Sequence, residues 1–437
     1  MSRQLTSWIF FALYRYFLIP MTVFFLKISR PLLPNKLKVM IEERLNFHWP
    51  ELPSRPIWIH AASGEIEYAK PVIRALKERW PQRMILITYY SPSAKKLIKS
   101  MPGIDAVVPL PWDERHLVKK FLDHFRPEIL LIARTDVWPE FAYECRRRGI
   151  SSLLFSATLA TQSSRNGLLS SPLTRFAFNQ LSAVNCVSEE DIEEIAKIGS
   201  IVPCHNSGDT RYDQVRWRIQ NPAPIKPLNL ASSEVPAPPT LVIGSSWPQD
   251  EEVLLPVLPE FIKNGGRVVI APHEVDSAHL NVIQKKLQSL GVKSILYSSS
   301  ETWNSNEVLL IDQIGHLQEV YTWGDLAFVG GSFKSKVHSV MEPLAAGLPT
   351  LVGPFHLNNR EALHFQNSFI KTNESVNKYS FSLVSIIRDQ QELSWHLERL
   401  LKNQLIWPKL KLRIGQKISE KSGATELLLG QIGALSQ

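Results

Sequence analysis

Residues 328–360, FVGGSFKSKVHSVMEPLAAGLPTLVGPFHLNNR, predict the fold of the second half of the chain. The apolar run 326–329 forms a strand that ends in a glycine turn, and a helix is expected from near His338 to Gly347. Residues 349–352 form the next buried strand. Two parallel strands would then end at one edge of a sheet beside a helix N-terminus, where free N–H groups and the helix dipole favour a phosphate.

Glu342 is the unusual residue of this segment, because an acid is unfavourable beside a bound anion. Its carboxylate is suited to accept hydrogen bonds from sugar hydroxyls, as the acidic residue does in dinucleotide-binding folds. A helix-capping role, worth about 0.5–1 kcal/mol through the dipole, stays open. The residues of the segment available for ligand contacts are Gly330, Gly331, Ser332, His338, Ser339, Glu342 and Asn358.

The composition indicates an ordinary folded chain with anionic partners. A length of 437 residues predicts two or three domains, and 44% hydrophobic with 21% charged residues excludes a disordered chain. The 49 basic and 41 acidic residues leave a net charge of +8, which favours nucleotides, nucleic acids or acidic lipids without choosing among them. Cys145, Cys186 and Cys204 are too few and too far apart for a disulfide framework, which fits a reducing compartment.

The N-terminal stretch 8–26, WIFFALYRYFLIPMTVFFL, predicts membrane attachment. It is about one bilayer crossing in length, although Arg15 and Pro20 interrupt it, and no signal-peptidase site follows. Aromatic bulk followed by basic residues suits the interface of an anionic membrane and keeps the remainder cytoplasmic. Burial of this helix against its own domain is the alternative. The basic residues are Lys27, Arg30, Lys36, Lys38 and Arg44.

Short apolar runs rich in Val, Ile and Leu alternate with amphipathic helices twice along the chain, as in doubly wound parallel sheets. We therefore expect an α/β fold in which two Rossmann-like domains face each other across a cleft, where ligands bind at the carboxyl ends of the strands. The expected divisions are an N-terminal helical segment (1–50), a first Rossmann-like domain (51–220), a proline-rich linker (221–238), a second Rossmann-like domain (239–405) and a C-terminal helical segment (406–437).

Three more clusters fall at predicted strand ends. Glu65 lies where a strand becomes a helix, and it is either a general base or an acid favoured by the helix dipole. Arg211 could hold a phosphate in bidentate fashion or pair with Asp213 at the surface. Ser245 and Ser246 precede a helix start where backbone donors could meet an anion, although Asp250 and Glu251 equally mark an ordinary acidic first turn.

Several standard chemistries lack their motifs. The chain contains no Asp-x-Asp pair, no GxxxxGK[ST], no GxSxG and no GxGxxG, which argues against a metal-bound nucleotide-sugar clamp, a P-loop NTPase, an α/β-hydrolase and a nicotinamide enzyme. His60, His273 and His338 are far apart in sequence, so satisfied polar residues are favoured over metal ligands.

Taken together, these blocks resemble the Kdo (3-deoxy-D-manno-octulosonic acid) transferases of lipopolysaccharide synthesis, which are inverting glycosyltransferases of the GT-B fold. The resemblance covers nearly the whole chain, including the N-terminal membrane-attached helix, and the blocks occur in the family's order. The blocks are IWIHAASGE (57–65), PWDERHLVKKFLDHFRPEILLI (111–132) with DVWPE (136–140), GDTRYD (208–213), GSSWPQDEE (244–252), HSVMEPLAAGLP (338–349) and GPFHLNNREA (353–362).

The resemblance implies transfer of Kdo from CMP-Kdo to a lipid A precursor at the cytoplasmic face of the bacterial inner membrane, without a metal and without nucleic acid. Residues 51–220 would be the acceptor side and 239–405 the donor side. Glu65 would be the general base, and Arg211 would neutralise the leaving phosphate. The implied donor-binding residues are Ser245, Ser246, Gly330, Gly331, Ser332, His338, Ser339, Glu342 and Asn358; those of the acceptor side are Ser63, Arg134 and Asp136.

The sequence departs from the family mainly in its acceptor half. The loop before Glu65 is one residue short, and Arg134 and Asp136 replace the two acids of the family's Glu-Thr-Glu-x-Trp-Pro motif. Thr158 stands where the family has an arginine, and Ser339 replaces an asparagine. Two alternatives therefore stay open: the same donor chemistry on another glycolipid or glycan, and a non-catalytic homologue that binds nucleotide or membrane.

Overall fold

The computed structural model describes residues 3–98, 101–160, 165, 167, 170–226, 229–230, 238–374, 377–404 and 406–435. The chain divides into two compact units. Unit 1 consists of Met1–Gln214 and Lys421–Gln437, and unit 2 consists of Val215–Glu420. Part of the predicted linker 221–238 lies outside the described residues.

Unit 1 is built on a seven-stranded parallel sheet with the strand order β3-β2-β1-β4-β5-β6-β7. Its strands are β1 (Ile57–His60), β2 (Ile85–Tyr89), β3 (Ala106–Pro109), β4 (Ile129–Ala133), β5 (Ser151–Ala157), β6 (Ala183–Cys186) and β7 (Cys204–Asn206). Its helices are α1 (Arg3–Leu13), α2 (Ile19–Ser29), α3 (Asn35–Asn46), α4 (Ile66–Arg79), α5 (Ala94–Ile98), α6 (Arg115–Phe125), α7 (Pro139–Arg147), α8 (Ser171–Phe178), α9 (Glu189–Lys197) and the first half of α10 (Thr210–Gln220).

Both faces of this sheet are covered, which is why its central strands are largely continuous apolar runs rather than alternately apolar and polar. All four residues of β1 are buried. Trp58 packs into the core cluster on one face with Phe121 and Phe141, whereas Ile57 and Ile59 pack into the cluster on the other. The hydrophobic runs of the sequence therefore placed six strands, whereas β7 was not predicted because Cys204-His205-Asn206 is an exposed polar edge strand.

Unit 2 repeats this plan with a second parallel sheet in the order β11-β13-β10-β9-β14-β15-β18. Its strands are β8 (Asn229–Leu230), β9 (Thr240–Ser246), β10 (Arg267–Pro272), β11 (Lys293–Leu296), β12 (Thr302–Trp303), β13 (Glu307–Leu310), β14 (Leu326–Val329), β15 (Thr350–Val352), β16 (Phe369–Glu374), β17 (Asn377–Ser382) and β18 (Val384–Ile386). Its helices are α11 (Pro248–Leu254), α12 (Leu258–Lys263), α13 (Ser277–Ser289), α14 (Leu317–Tyr321), α15 (Met341–Ala345), α16 (Arg360–Gln366), α17 (Gln390–Lys402) and α18 (Trp407–Ser419). The last helix, α19 (Ala424–Leu435), returns to unit 1 and packs on α4.

Each sheet has one point where the strand order reverses, between β1 and β4 in unit 1 and between β9 and β14 in unit 2. Connections leave to opposite faces at such a topological switch point, which opens a crevice at the carboxyl ends of the two strands. The predicted α/β class with two Rossmann-like halves is thus confirmed.

The helix predicted from near His338 is wrong in its start, because α15 begins at Met341 and has only five residues. Residues 334–338 form a loop instead. The N–H of Val337 donates to the carbonyl of Phe355, and the Asn358 side chain makes hydrogen bonds to both the N–H and the carbonyl of Val337. These contacts with a distant segment use the backbone groups that a helix would need.

The N-terminal stretch forms a continuous helical segment from Arg3 to Leu32, with a π-helical turn over Tyr14–Leu18. It is the one helix of the described residues that is long and apolar enough to cross a membrane. Only 17% of its most apolar 18-residue stretch is buried. Arg15 does not break it, because its guanidinium reaches Glu140 at 2.7 Å inside unit 1. The Tyr14 hydroxyl donates to Asp113 at 2.8 Å. Pro20 is tolerated because it stands in the first turn of α2.

A substitution at Gly330 can test how closely the end of β9 packs against the loop after β14. A Cβ built at Gly330 would lie 2.2 Å from the carbonyl oxygen of Ser245. We expect Gly330→Ala to destabilise unit 2 by about 2–3 kcal/mol, because backbone must move to make room. The matched control is Gly430→Ala in α19, where a Cβ meets nothing within 4 Å. That change should stabilise unit 1 by about 0.5–1 kcal/mol through helix propensity. Calorimetric unfolding of the full chain measures both, and equal effects would contradict this packing.

Candidate functional site

The switch point of unit 1 brings together the loops that follow β1 and β4. Ser63 and Glu65 belong to the first loop, and Arg134 and Asp136 belong to the second. Because β1 and β4 are hydrogen-bonded neighbours, their loops leave the sheet side by side. The four residues that the sequence predicted for the acceptor side and the general base therefore lie at one edge of one sheet.

Glu65 is the residue immediately before α4, and its side chain is partly exposed. Its Oε2 accepts a hydrogen bond from the N–H of Ser63 at 2.9 Å. No second hydrogen bond to this carboxylate occurs among the residues that the structure describes. The Ser63 hydroxyl contacts the Ser93 hydroxyl at 3.0 Å. One oxygen of Glu65 is thus oriented by the loop, and the other can accept a proton from a bound hydroxyl.

Asp136 is held by a hydrogen bond across the switch point. Its Oδ2 lies 3.0 Å from Nε2 of His60 at the end of β1, and it also accepts from the indole N–H of Trp138 at 3.1 Å. His60 is buried, and its Nδ1 contacts the Thr88 hydroxyl at 2.9 Å. Burial opposes ionisation of Asp136, but the hydrogen bond and charge of His60 prevail and lower its pKa. Asp136 therefore orients the loop that carries Arg134.

Arg211 lies in unit 1 beside Arg134. Its guanidinium pairs with Asp209 at 3.3 Å and lies over the ring of Tyr68, 4.6 Å from the centroid. The guanidinium of Arg134 lies over the same ring at 5.1 Å. The surface pair with Asp213 weighed from the sequence is wrong, because Asp213 accepts hydrogen bonds from the start of α19, including the N–H of Thr425 at 2.8 Å.

In unit 2, the buried carboxylate of Asp250 joins the loops after β9 and β14. It accepts hydrogen bonds from the N–H groups of Gly331 at 2.7 Å, Phe333 at 2.9 Å and Trp247 at 2.9 Å. Burial raises the pKa of Asp250, and the three donors oppose that rise. Gly330 donates its own N–H to the carbonyl of Gly244. The prediction that these N–H groups are free for a phosphate is therefore wrong, since they are used to hold the loop.

Three of the predicted donor-side serines, Ser245, Ser246 and Ser332, differ in what they can offer a ligand. The buried Ser246 hydroxyl donates to Glu251 at 3.0 Å. The buried Ser332 hydroxyl donates to the carbonyl of Val329 and accepts from the N–H of Gly353. Ser245 has the left-handed φ of +54° that non-glycine residues rarely adopt, and its hydroxyl makes no hydrogen bond to described residues. Of the three hydroxyls, Ser245 is the one that remains for a ligand.

His338 belongs to a stack of three rings at the same edge. The ring of His273 stacks on Trp247 at 4.4 Å and on His338 at 4.5 Å. The indole N–H of Trp247 donates to Nε2 of His338 at 3.1 Å, so the proton of the neutral imidazole lies on Nδ1. Burial, then His273 and two lysines, lower the pKa of His338 to about 4. The ring is therefore neutral at pH 7 and presents one N–H donor.

The other residues predicted for the donor side lie in the same loop (Ser339), in α15 (Glu342) and in the loop after β15 (Asn358). The Glu342 carboxylate lies 3.6 Å from the guanidinium of Arg218. The Ser339 hydroxyl accepts a long hydrogen bond from the N–H of Met341 at 3.4 Å. Asn358 is bound to Val337, so it orients the His338 loop from behind.

Sequence reasoning missed Asp250, Trp247 and His273 as organisers of this edge. Asp250 occupies the third position of α11, where an acid is ordinary, and only its contacts with a segment some 80 residues later distinguish it. Tyr68 was missed because an apolar helix face predicts a core aromatic. Among described residues there is no group of three or more His, Cys, Asp or Glu side chains that could hold a metal.

Comparisons with known proteins find sequence relatives that carry the same description. Residues 40–214 match the family described as 3-Deoxy-D-manno-octulosonic-acid transferase (kdotransferase). A 3-deoxy-D-manno-octulosonic acid transferase of Chlamydophila psittaci is 27% identical over 340 residues, covering 73% of this chain and 74% of the relative.

Two solved structures share the fold. The UDP-GlcNAc 2-epimerase of Neisseria meningitidis aligns with a TM-score of 0.56 and 13% identity over 87% of this chain and 99% of that one. MurG of Acinetobacter baumannii aligns with a TM-score of 0.51 and 12% identity over 87% of this chain and 100% of that one. Such low identities show the fold alone, which is of the GT-B type.

The pKa of His338 predicts an acid-sensitive unit 2. Because the folded-state pKa of about 4 lies below the ordinary value of 6.5, protonation favours the unfolded chain. The stabilisation is complete above about pH 6.5 and is lost as the pH falls towards 4. Unfolding free energies at pH 7 and pH 5 should therefore differ less in His338→Gln than in the wild type. His364→Gln, at an exposed position on α16, is the control and should keep the wild-type difference; an unchanged difference in His338→Gln would contradict the assignment.

Proposed function

We propose that this chain, which is similar to Kdo transferases, transfers Kdo from CMP-Kdo to a lipid A precursor in lipopolysaccharide synthesis. The observation that carries the proposal is Glu65, a half-buried carboxylate with one oxygen oriented by Ser63 at the switch point of a parallel sheet. Unit 1 is proposed as the acceptor side and unit 2 as the donor side. The ordered family blocks along the chain support this division.

Glu65 is the general base of the proposed reaction. It takes the proton of the acceptor hydroxyl as that oxygen bonds to the anomeric carbon of Kdo. The bond between this carbon and the phosphate oxygen of CMP breaks, and the electron pair leaves with CMP. One glycosidic bond forms, one sugar–phosphate bond breaks, and the configuration at the anomeric carbon inverts. Arg211 neutralises the leaving phosphate through its guanidinium, so the scheme needs no metal.

Unit 2 is proposed to bind the cytidylate at the switch point of its sheet. The free hydroxyl of Ser245 and the Nδ1–H of His338 are the hydrogen-bond donors, and Glu342 accepts from the ribose hydroxyls. Ser339 lies next to His338 and contacts the ligand beside it. Ser246, Gly330, Gly331, Ser332 and Asn358 contribute by holding the two loops in place, because their polar groups are bonded within the protein or their backbone is closely packed.

The general base is tested by Glu65→Gln, which keeps the shape and removes the basic oxygen. We expect kcat to fall by about 10²–10⁴-fold, while the affinity for CMP stays unchanged. Glu67→Gln is the matched control on the same helix, where the carboxylate pairs with Lys70 at the surface. Transfer is measured by product mass with CMP-Kdo and the tetra-acylated lipid A disaccharide.

The same assay separates the alternatives. Full activity of Glu65→Gln would exclude its role as the base, and CMP binding without any turnover of the wild type would indicate a non-catalytic homologue. Donor hydrolysis without transfer to the disaccharide would favour a different glycolipid or glycan acceptor. That alternative rests on a specific observation, since Arg134 and Asp136 occupy the acceptor-side loop, beside Ser63, in place of the family's two acids.

The chain is further proposed to act at the cytoplasmic face of the inner membrane, bound to anionic lipid, with no nucleic acid partner. The segment Arg3–Leu32 packs one face on unit 1 through Ser7, Phe11, Tyr14 and Val23. Its opposite face exposes a row of large apolar side chains; Lys27, near the end of the segment, and Lys36, after it, are also exposed. This arrangement favours a helix lying in the membrane interface over one that crosses it. The exposed row comprises Leu5, Trp8, Ile9, Leu13, Tyr16, Phe17, Leu18, Met21, Phe24, Phe25, Ile28 and Leu32.

Membrane binding is tested with the double variant Phe17→Ser, Phe25→Ser. Each phenylalanine is worth about 1.5–3 kcal/mol when buried, so partition into vesicles should fall at least about tenfold. Vesicles of phosphatidylethanolamine with and without phosphatidylglycerol measure the contribution of charge, and salt should weaken binding to the anionic ones. Ile314→Ser, at an exposed apolar residue of unit 2, is the control. Equal binding of the double variant and the wild type would refute the interfacial helix.

A further inference from the structure

Two arginines in unit 1 lie over one buried tyrosine. Tyr68 is 4% exposed and lies in the first turn of α4, where its N–H donates to the carbonyl of Glu65 at 3.0 Å. The guanidinium carbons of Arg134 and Arg211 are 5.1 and 4.6 Å from the centre of its ring. Both cations therefore contact the ring of a residue that follows the proposed general base by three positions in the chain.

The backbone around this cluster is fixed from three strand ends. Arg134 follows β4 with a left-handed φ of +66°, a conformation that costs a non-glycine residue about 1 kcal/mol or more and so needs support. Its N–H donates to the carbonyl of Phe155 in β5 at 2.9 Å. The Thr210 hydroxyl donates to the carbonyl of Tyr68 at 2.8 Å and contacts the Ser156 hydroxyl at 2.9 Å. The two guanidiniums are therefore held in place before any ligand arrives.

The two arginines of the cluster differ in their acidic partners. Arg211 pairs with the buried carboxylate of Asp209. Arg134 has no carboxylate within ion-pair distance among the residues that the structure describes, and its hydrogen bond to the Thr158 hydroxyl is long, at 3.4 Å. The nearby Asp136 is bound to His60 and Trp138. The two guanidiniums over one ring repel each other, and an anion bound by Arg134 would relieve the repulsion.

We infer that Arg134, Tyr68 and Arg211 form a phosphate-binding site in which Arg134 supplies a second guanidinium. A guanidinium stacked on an aromatic ring uses its face, and the in-plane N–H groups of Arg134, which pair with no carboxylate among the described residues, can bind phosphate oxygens in bidentate fashion. The identity of the phosphate rests on the proposed function. It belongs either to the CMP donor or to the acceptor glycolipid, and both present the same chemistry to the two arginines.

Inorganic phosphate is the first probe, because its binding to the full chain requires no turnover. Calorimetric titration should give a dissociation constant at least about tenfold weaker in Arg134→Gln than in the wild type. Arg134→Lys should lose part of this affinity, because it keeps the charge but not the fork, and its melting temperature shows whether the site still folds. The matched control is Arg126→Gln, at an exposed arginine that also has a left-handed φ, of +46°, outside the cluster.

Unchanged phosphate affinity in Arg134→Gln, or an equal loss in Arg126→Gln, would overturn the site, whatever the activity of the enzyme. Steady-state kinetics then identify the source of the phosphate. A KM that rises for CMP-Kdo alone assigns it to the donor. A KM that rises for the phosphorylated acceptor but not for the dephosphorylated one assigns it to the acceptor. If CMP-Kdo is not turned over at all while Arg134→Gln still loses phosphate, the site stands and the proposed transfer fails.

Discussion

A carboxylate that bridges the switch point of each sheet is the interaction on which both candidate half-sites depend. In unit 1 Asp136, after β4, bonds to His60 at the end of β1. In unit 2 Asp250, after β9, bonds to Gly331 and Phe333 in the loop after β14. Parallel strands place these loops side by side, but nothing in the sheet itself fixes loop conformation. A carboxylate that accepts several hydrogen bonds fixes the loop conformation, because each hydrogen bond to an ionised group is stronger than one between neutral groups.

The hydrogen bonds of Asp250 change the interpretation of the glycine turn in unit 2. A glycine turn beside a helix is an anion site only when its N–H groups point at solvent. Here Asp250 already accepts the N–H groups of Gly331 and Phe333, and Gly330 packs closely against Ser245. The groups left for a ligand are side chains held by that loop: the hydroxyl of Ser245 and the Nδ1–H of a neutral His338. Neutrality matters, because a ring with a depressed pKa donates one N–H at pH 7 with a fixed tautomer.

Arg15 in the N-terminal helix and Arg134 after β4 are both charged residues whose positions the sequence alone does not explain. Arg15 interrupts an apolar stretch, yet Glu140 and Glu144 in unit 1 receive it, and the helix is tied to the domain while its outer face stays apolar. Arg134 has no carboxylate within ion-pair distance among the described residues, and its guanidinium lies over the ring of Tyr68, which Arg211 also contacts. Each of these two residues interrupts a pattern in the sequence, and each has defined contacts in the folded structure.

The sequence by itself determined the α/β class and six of the seven strands of unit 1, and it placed Glu65 where a strand becomes a helix, because hydrophobic period and glycine turns are local signals. It did not determine the start of α15, the partner of Arg211, the occupied N–H groups of the glycine loop or the pairing of Arg134 with Tyr68. Each of these depends on a contact between segments that are distant in the chain, such as Val337 with Phe355, or Tyr68 with residues 134 and 211. Local propensity sets which elements form, whereas the choice of partner for each polar group is made only when the packed sheet brings its candidates within bonding distance.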